Sequence, residues 1–303
     1  MRWLIVGAGA IGAYMGGRLH AADISVKFVV RSRRLEQLST RGLRIESPLG
    51  SVNIPHPSLI TATDNPGPVD VIVLAVKGQH LDNILPWLDT LPPTSALLPF
   101  LNGIEHITTL KKRYGTRLLG GIAYIESTLN TEGDVIHLTP LERFLVGALN
   151  RSQDATAQRV VADLSHAGLH TALTDQIYQE LWLKFLFLDT FSLMTTTTNK
   201  PIGELMTYPE CRVLAKDLIA EAFKVAQTSL PNLSEQTPDI LFDRLASLPP
   251  TMMSSMSRDK QHGLPLEADH LQGGLIRQAA IHQIATPIHQ ALYATLVPFI
   301  QGV

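Results

Sequence analysis

Trp3-Leu4-Ile5-Val6-Gly7-Ala8-Gly9-Ala10-Ile11-Gly12 decides how the first half of this chain folds. Four apolar residues run into a G-x-G-x-x-G pattern, and a helical pattern over Ile11 to Ala21 starts inside it. Strand, glycine-rich turn and helix in that order mark a βα unit that binds a dinucleotide. Gly7 permits the tight turn, Gly9 lets backbone approach a pyrophosphate, and Gly12 lets the helix pack closely on the strand. Ala8, Ala10 and Ile11 complete the cofactor-binding turn. The helix N-terminus offers free N–H groups and the positive end of its dipole to the phosphates.

Working outward, further β-branched runs appear at Ser25 to Val30, Val69 to Val76 and Ala96 to Leu101. Val69 to Val76 is nearly all apolar, as in a strand covered on both faces of a parallel sheet. Helix-forming segments such as His80 to Leu91 lie between most of them, which reads as βαβ units in a doubly wound, Rossmann-type α/β sheet. Gly120 to Leu129, Val135 to Leu138 and Phe144 to Val146 read as further strands that close the same sheet with some antiparallel character. The second half changes texture. Asp154 to His166, Asp175 to about Thr195, Cys211 to Thr228, Leu266 to Gln283 and Thr286 to Ile300 are helical in pattern. The expected organisation is a dinucleotide-binding domain over 1–172 and an all-α substrate and catalytic domain over 173–303.

Cofactor choice is read at the end of the second strand. An NAD site usually carries Asp or Glu about 20 residues beyond the glycines, to hold the ribose 2′-hydroxyl. Here Arg31-Ser32-Arg33-Arg34 stands instead, Arg31 lying 19 residues after Gly12. Guanidinium groups suit a 2′-phosphate, so NADP(H) is expected. Two more residues follow strand runs, where ligands of open α/β sheets bind. Lys77 can neutralise a phosphate or carboxylate, and Asn102, in Asn102-Gly103, can hydrogen-bond a ribose or a substrate oxygen.

The 303 residues suffice for about two domains. A formal net charge of −2 argues against broad nucleic-acid binding. The single cysteine, Cys211, can form neither an internal disulfide nor a cysteine-based zinc site. No signal-peptide pattern and no 18-residue apolar stretch is read, so the expectation is a soluble, cytoplasmic protein without membrane contact. His282 and His289 lie seven apart with no third ligand evident; they read as surface or packing histidines, and no metal is expected.

Glu180-Leu181-Trp182-Leu183-Lys184-Phe185 places a lysine among apolar residues on a helix. Such a lysine can have a depressed pKa and act as an acid near neutral pH. Together, Gly7 to Gly12, Lys77, Asn102-Gly103, Trp182-x-Lys184, Gly203-Glu204-Leu205, Ser254-Ser255-Met256 and Glu267 resemble the ketopantoate (2-dehydropantoate) 2-reductases, in this order and along the whole chain. The resemblance implies NADPH-dependent reduction of 2-dehydropantoate to pantoate, a step of pantothenate biosynthesis. Lys184 matches the catalytic lysine that protonates the ketone oxygen. Glu267 matches a glutamate near the nicotinamide ribose and the lysine. Ser255 matches a serine that holds the substrate carboxylate, Asn102 and Lys77 residues that line the cofactor, and Arg31 the arginine at the 2′-phosphate. The chain departs from the family where asparagines contact substrate, four and eight residues after the lysine and before Gly-Glu-Leu. Those positions are Leu188, Ser192 and Ile202. Leu188 and Ser192 remain the expected substrate contacts, in a more apolar pocket, so a different 2-oxo acid is one alternative. A non-catalytic NADP(H)-binding sensor is another, and an oxidative hydroxyacid dehydrogenase a third. Asp189 points about 100° from Leu188 and is set aside. The partner expected beyond the small substrate is a second copy of the chain.

Overall fold

In the computed structural model, which describes residues 1–302, Trp3–Val6 forms β1, the central strand of a five-stranded parallel sheet. The strand order is β5 (Leu59–Ile60), β2 (Val26–Val29), β1, β6 (Val71–Leu74), β7 (Ala96–Pro99). Every residue of β1, β6 and β7 is buried, as covered parallel strands require. α1 (Ala10–Ala21) carries the chain from β1 to β2 on one side, while β6 pairs with β1 on the other. The glycine-rich turn therefore leaves the sheet where the strand order reverses, the place where open α/β sheets bind ligands.

The antiparallel strands do not close this sheet, as the sequence suggested; they build a second one. β8 (Leu119–Leu129) pairs with β9 (Val135–Ala148), a continuous strand spanning both short runs read from the sequence. β9 also pairs in parallel with β3 (Leu43–Glu46) and β10 (Thr171–Leu173), and β3 pairs with β4 (Val52–Ile54). The reason lies in α1. Residues 12–17 of α1 are buried without a break, as is Leu19, so this stretch of the helix must be covered all round. Small residues let both sheets approach it: a Cβ at Gly16 would overlap the Phe28 ring of β2, and one at Gly17 would overlap Ile45 of β3. The one polar group on this helix that is buried, the Tyr14 hydroxyl, donates to Glu142 of β9. α5 (Asp154–His166) anchors β1, because Asp163 accepts from the N-terminal ammonium at 2.9 Å and from Trp3 Nε1 at 2.8 Å.

The chain divides into two compact units, Met1–Leu101 with His106–Tyr178, and Asn102–Glu105 with the residues from Gln179 onward. The division lies six residues beyond the expected 172. The sequence did not suggest that four residues following β7 would group with the helical unit. That unit is built on α6 (Ile177–Thr198), whose Leu181, Trp182, Phe185, Leu186, Phe191, Leu193 and Met194 are buried around its whole circumference. α7 (Ile202–Leu205), α8 (Pro209–Ser229), α9 (Thr237–Ala246), α10 (Ser255–Gln261), α11 (Gly274–Ile281) and α12 (Pro287–Leu296) complete it. The single helix expected over Leu266 to Gln283 is interrupted: Asp269–Gly273 is a π-helical turn leading into α11. Among the described residues, no helix is long and apolar enough to cross a membrane.

Candidate active site

In the first unit, Gly7 has φ +101°, and a Cβ there would lie 2.7 Å from the Ala75 carbonyl oxygen. A Cβ at Gly12 would overlap the Gly7 carbonyl oxygen and lie 2.9 Å from the Ala75 Cβ. Gly9 differs: no heavy atom lies within 4 Å of the place its Cβ would take. Two glycines thus close the junction of β1 and α1, and the third leaves backbone open to a ligand. That is the division of labour a pyrophosphate site needs. The turn is braced by α2 (Ser32–Arg41), where Arg34 Nε donates to the Ala8 carbonyl at 2.9 Å and its Nη1 to the Gly133 carbonyl at 2.8 Å. Arg31, Ser32 and Arg33 are exposed at the start of that helix, and no acid stands in its first turn. Lys77 is half-buried and opens a short 3₁₀ turn over Gly78–His80, just beyond β6.

In the second unit, Lys184 is half-buried on α6, and its Nζ donates to Asn102 Oδ1 at 3.2 Å. Burial pushes the lysine down to about 8, while the nearby Glu267 carboxylate draws it back up. An ammonium with that pKa is still charged at neutral pH and readily gives up its proton. Asn102 is held in place by its own segment. Gly103 lies against the ring of His270, at 3.1 Å from a would-be Cβ. Glu105 takes a bidentate pair from Arg277 of α11, at 2.8 and 2.7 Å. Arg277 also donates to Asp269 Oδ1 at 3.0 Å, and Tyr293 of α12 donates to the same oxygen at 2.8 Å. Planar guanidinium geometry is what makes such a clamp directional.

Ser255 is the first residue of α10 and is exposed. The helix carrying it is docked on the end of α6. Thr195 Oγ1 donates to Ser254 Oγ at 2.9 Å, Ser257 Oγ donates to the Thr195 carbonyl at 3.0 Å, and Lys260 Nζ donates to the Thr196 carbonyl at 2.9 Å. The threonine run at the end of α6 therefore serves to seat the serine helix. Leu188 is half-buried, while Ile202 and Ser192 are buried. The Ser192 hydroxyl donates to the Asp189 carbonyl at 3.2 Å and receives Gln272 Nε2 at 3.2 Å.

The sequence passes over Glu221 and Gln272, leaves Asp189 aside and offers His289 only as a surface or packing histidine. Asp189 faces inward rather than standing idle. It is fully buried, takes a hydrogen bond from Gln272 Nε2 at 3.0 Å and lies 2.7 Å from His289 Nε2. His289 is buried at 0% exposure between Asp189 and Glu221, whereas His282 is exposed. One signal was present: a carboxylate inside the apolar run Leu186 to Leu193 must find a buried partner.

Known proteins share this architecture. The family model described as ketopantoate reductase PanE/ApbA matches residues 3–151, and that of its C-terminal part matches residues 176–298. A Bacillus subtilis (strain 168) protein described as the uncharacterized oxidoreductase YkpB is 33% identical over 305 residues, covering 98% of each chain. A 2-dehydropantoate 2-reductase of Halobacterium salinarum is 24% identical, covering 96% of each. Among solved structures, D-mandelate dehydrogenase with NADH and anilino(oxo)acetate superimposes with a TM-score of 0.89 at 21% identity, covering 99% of this chain and 98% of that one. At that identity it speaks for the fold.

Proposed function

This chain belongs to the ketopantoate reductase PanE/ApbA family, and from that premise we propose that it reduces a 2-oxo acid bearing an apolar side chain, with NADPH as reductant. It is an oxidoreductase of small 2-oxo acids that uses a nicotinamide cofactor. The observation that carries the proposal is Lys184, half-buried, hydrogen-bonded to Asn102 and held near pKa 8 beside Glu267.

A reduced nicotinamide, when bound, would supply the hydride for the carbonyl carbon. Lys184 does the complementary work, giving its Nζ proton to the carbonyl oxygen as charge develops there. A preplaced cation stabilises that developing charge more than it stabilises the neutral ketone. Asn102 accepts a hydrogen bond from the ammonium and keeps its direction. After transfer the lysine is neutral, and the Glu267 carboxylate favours its reprotonation. Ser255 offers a hydroxyl to the substrate carboxylate. Gly7 to Gly12 hold the pyrophosphate, with Lys77 lining the cofactor. Arg31 would hold the 2′-phosphate; its exposure at the start of α2, with no acid in that helix's first turn, supports NADPH over NADH.

Leu188, Ile202 and the engaged hydroxyl of Ser192 support an aliphatic substrate. A hydroxyl on the substrate would meet aliphatic side chains at 188 and 202 and an already engaged hydroxyl at 192, and sites discriminate strongly when such groups go unpaired. The second reading is 2-dehydropantoate itself, which the name of the Halobacterium relative favours. Absorbance assays of NADPH consumption separate the two. The expected result is a kcat/KM at least about tenfold higher for a branched aliphatic 2-oxo acid than for 2-dehydropantoate, and NADPH preferred to NADH until Arg31 is replaced by Ala. The reverse substrate order supports 2-dehydropantoate, and a preference for NADH removes the role of Arg31. NADPH binding without turnover of any 2-oxo acid supports a sensor instead.

A further inference from the structure

We propose that His289, held as an imidazolium between Asp189 and Glu221, is a positioning residue that fixes Asp189 and, through Gln272, the Ser192 hydroxyl on the substrate-contacting stretch of α6. This rests on the reading of α6 as the helix that carries both Lys184 and the substrate contacts.

Both ring nitrogens of His289 face a carboxylate. Nε2 lies 2.7 Å from Asp189 Oδ2, and Nδ1 lies 2.8 Å from Glu221 Oε2. Neutral imidazole carries a proton on one nitrogen only, so it would turn a lone pair toward one of these anions. The cation donates in both directions. Burial pushes the ring's pKa down, but Asp189 and Glu221 reverse this and raise it to about 9. Glu221 is further committed by the backbone N–H groups of Ile288 and His289, at 3.0 and 3.1 Å. The charged groups facing the ring are thus Asp189 from α6 and Glu221 from α8.

The network runs on to the lysine helix. Gln272 Nε2 lies 3.0 Å from Asp189 Oδ1, 3.3 Å from the Asp189 carbonyl and 3.2 Å from Ser192 Oγ. Gln272 sits in the π-helical turn at 269–273, which follows Glu267 in the chain and is fully buried at that residue. Such turns often mark functional sites. One cation with two anions in an apolar interior is a weak source of stability compared with hydrophobic packing. Its contribution is direction: it fixes which way Asp189 points, hence where the Gln272 amide and the Ser192 hydroxyl stand. A glutamine at 289 could donate to one carboxylate only and would turn its oxygen on the other.

Two measurements test this. In protein labelled with ¹⁵N-histidine, the signal lost in His289→Gln identifies the ring. Both of its nitrogens are expected to be protonated at pH 7.5, up to about pH 9. In kinetics, His289→Gln is expected to raise KM for the 2-oxo acid at least about tenfold while the Kd of NADPH stays within about threefold. The double variant Asp189→Asn, His289→Gln, in which two amides can pair without charge, is expected to recover most of that loss. A neutral ring at pH 7.5 overturns the proposal. So does a KM unchanged in His289→Gln, or a double variant no better than the single one. If His289→Gln does not fold, the ring's protonation in the wild type and the kinetics of the double variant still decide. If the wild type turns over no 2-oxo acid, the reading of its function fails, while the charge state of His289 is still decided by the spectrum.

Discussion

Lys184→Ala is expected to lower kcat for 2-oxo acid reduction by about a thousandfold, the middle of the range for loss of a general acid. The Kd of NADPH should stay within about threefold, because the glycine-rich turn and Arg31 are untouched. The loss should not come from unfolding. Burial holds the lysine near pKa 8, below its ordinary 10.5. Its charge therefore weakens the fold at neutral pH, and this penalty fades as pH rises from about 8 toward 10.5. A variant without that charge should melt no lower than the wild type at pH 7. Steady-state kinetics, cofactor titration and a melting curve check all three points. A variant that keeps even a tenth of kcat would remove Lys184 from the chemistry.

Gly12→Ala is the second large effect. Its methyl would overlap the Gly7 carbonyl oxygen and press on the Ala75 Cβ at 2.9 Å, so β1 and α1 must part. Overpacking of this kind costs about 1–3 kcal/mol or more, which lowers Tm by several degrees in a chain of this size. NADPH affinity should fall about a hundredfold or further, as the N–H groups that cradle phosphate are displaced. Gly9→Ala is the control. Nothing lies within 4 Å of its would-be Cβ, so Tm should hold while NADPH binding weakens. Equal Tm and equal Kd for both variants would refute the assignment of the turn.

What was legible in the sequence was local. The run Trp3 to Gly12 carries strand, turn and helix within ten residues, and Arg31 and Lys184 are singled out as candidates by their neighbours. The second sheet was not legible, since β8 and β9 have the same alternating pattern whichever sheet they join. The stretch Gly12 to Gly17 of α1, small or apolar but for the Tyr14 hydroxyl, was the available clue, because a helical stretch buried on every side needs a second cover. The return of Asn102–Glu105 to the helical unit depends on Arg277, 172 residues from Glu105. The cluster of Asp189, Glu221, Gln272 and His289 likewise joins α6, α8, the π-helical turn and α12. No window along the chain contains such contacts; only packing creates them.

The central claim is that Lys184, held near pKa 8, delivers the proton. Single-turnover oxidation of NADPH by a 2-oxo acid, followed from about pH 6 to about pH 10, tests it most directly. The account predicts a rate that is flat up to about pH 8 and then falls about tenfold per pH unit as the ammonium is lost. A rate that stays flat to pH 10, or rises, would contradict it.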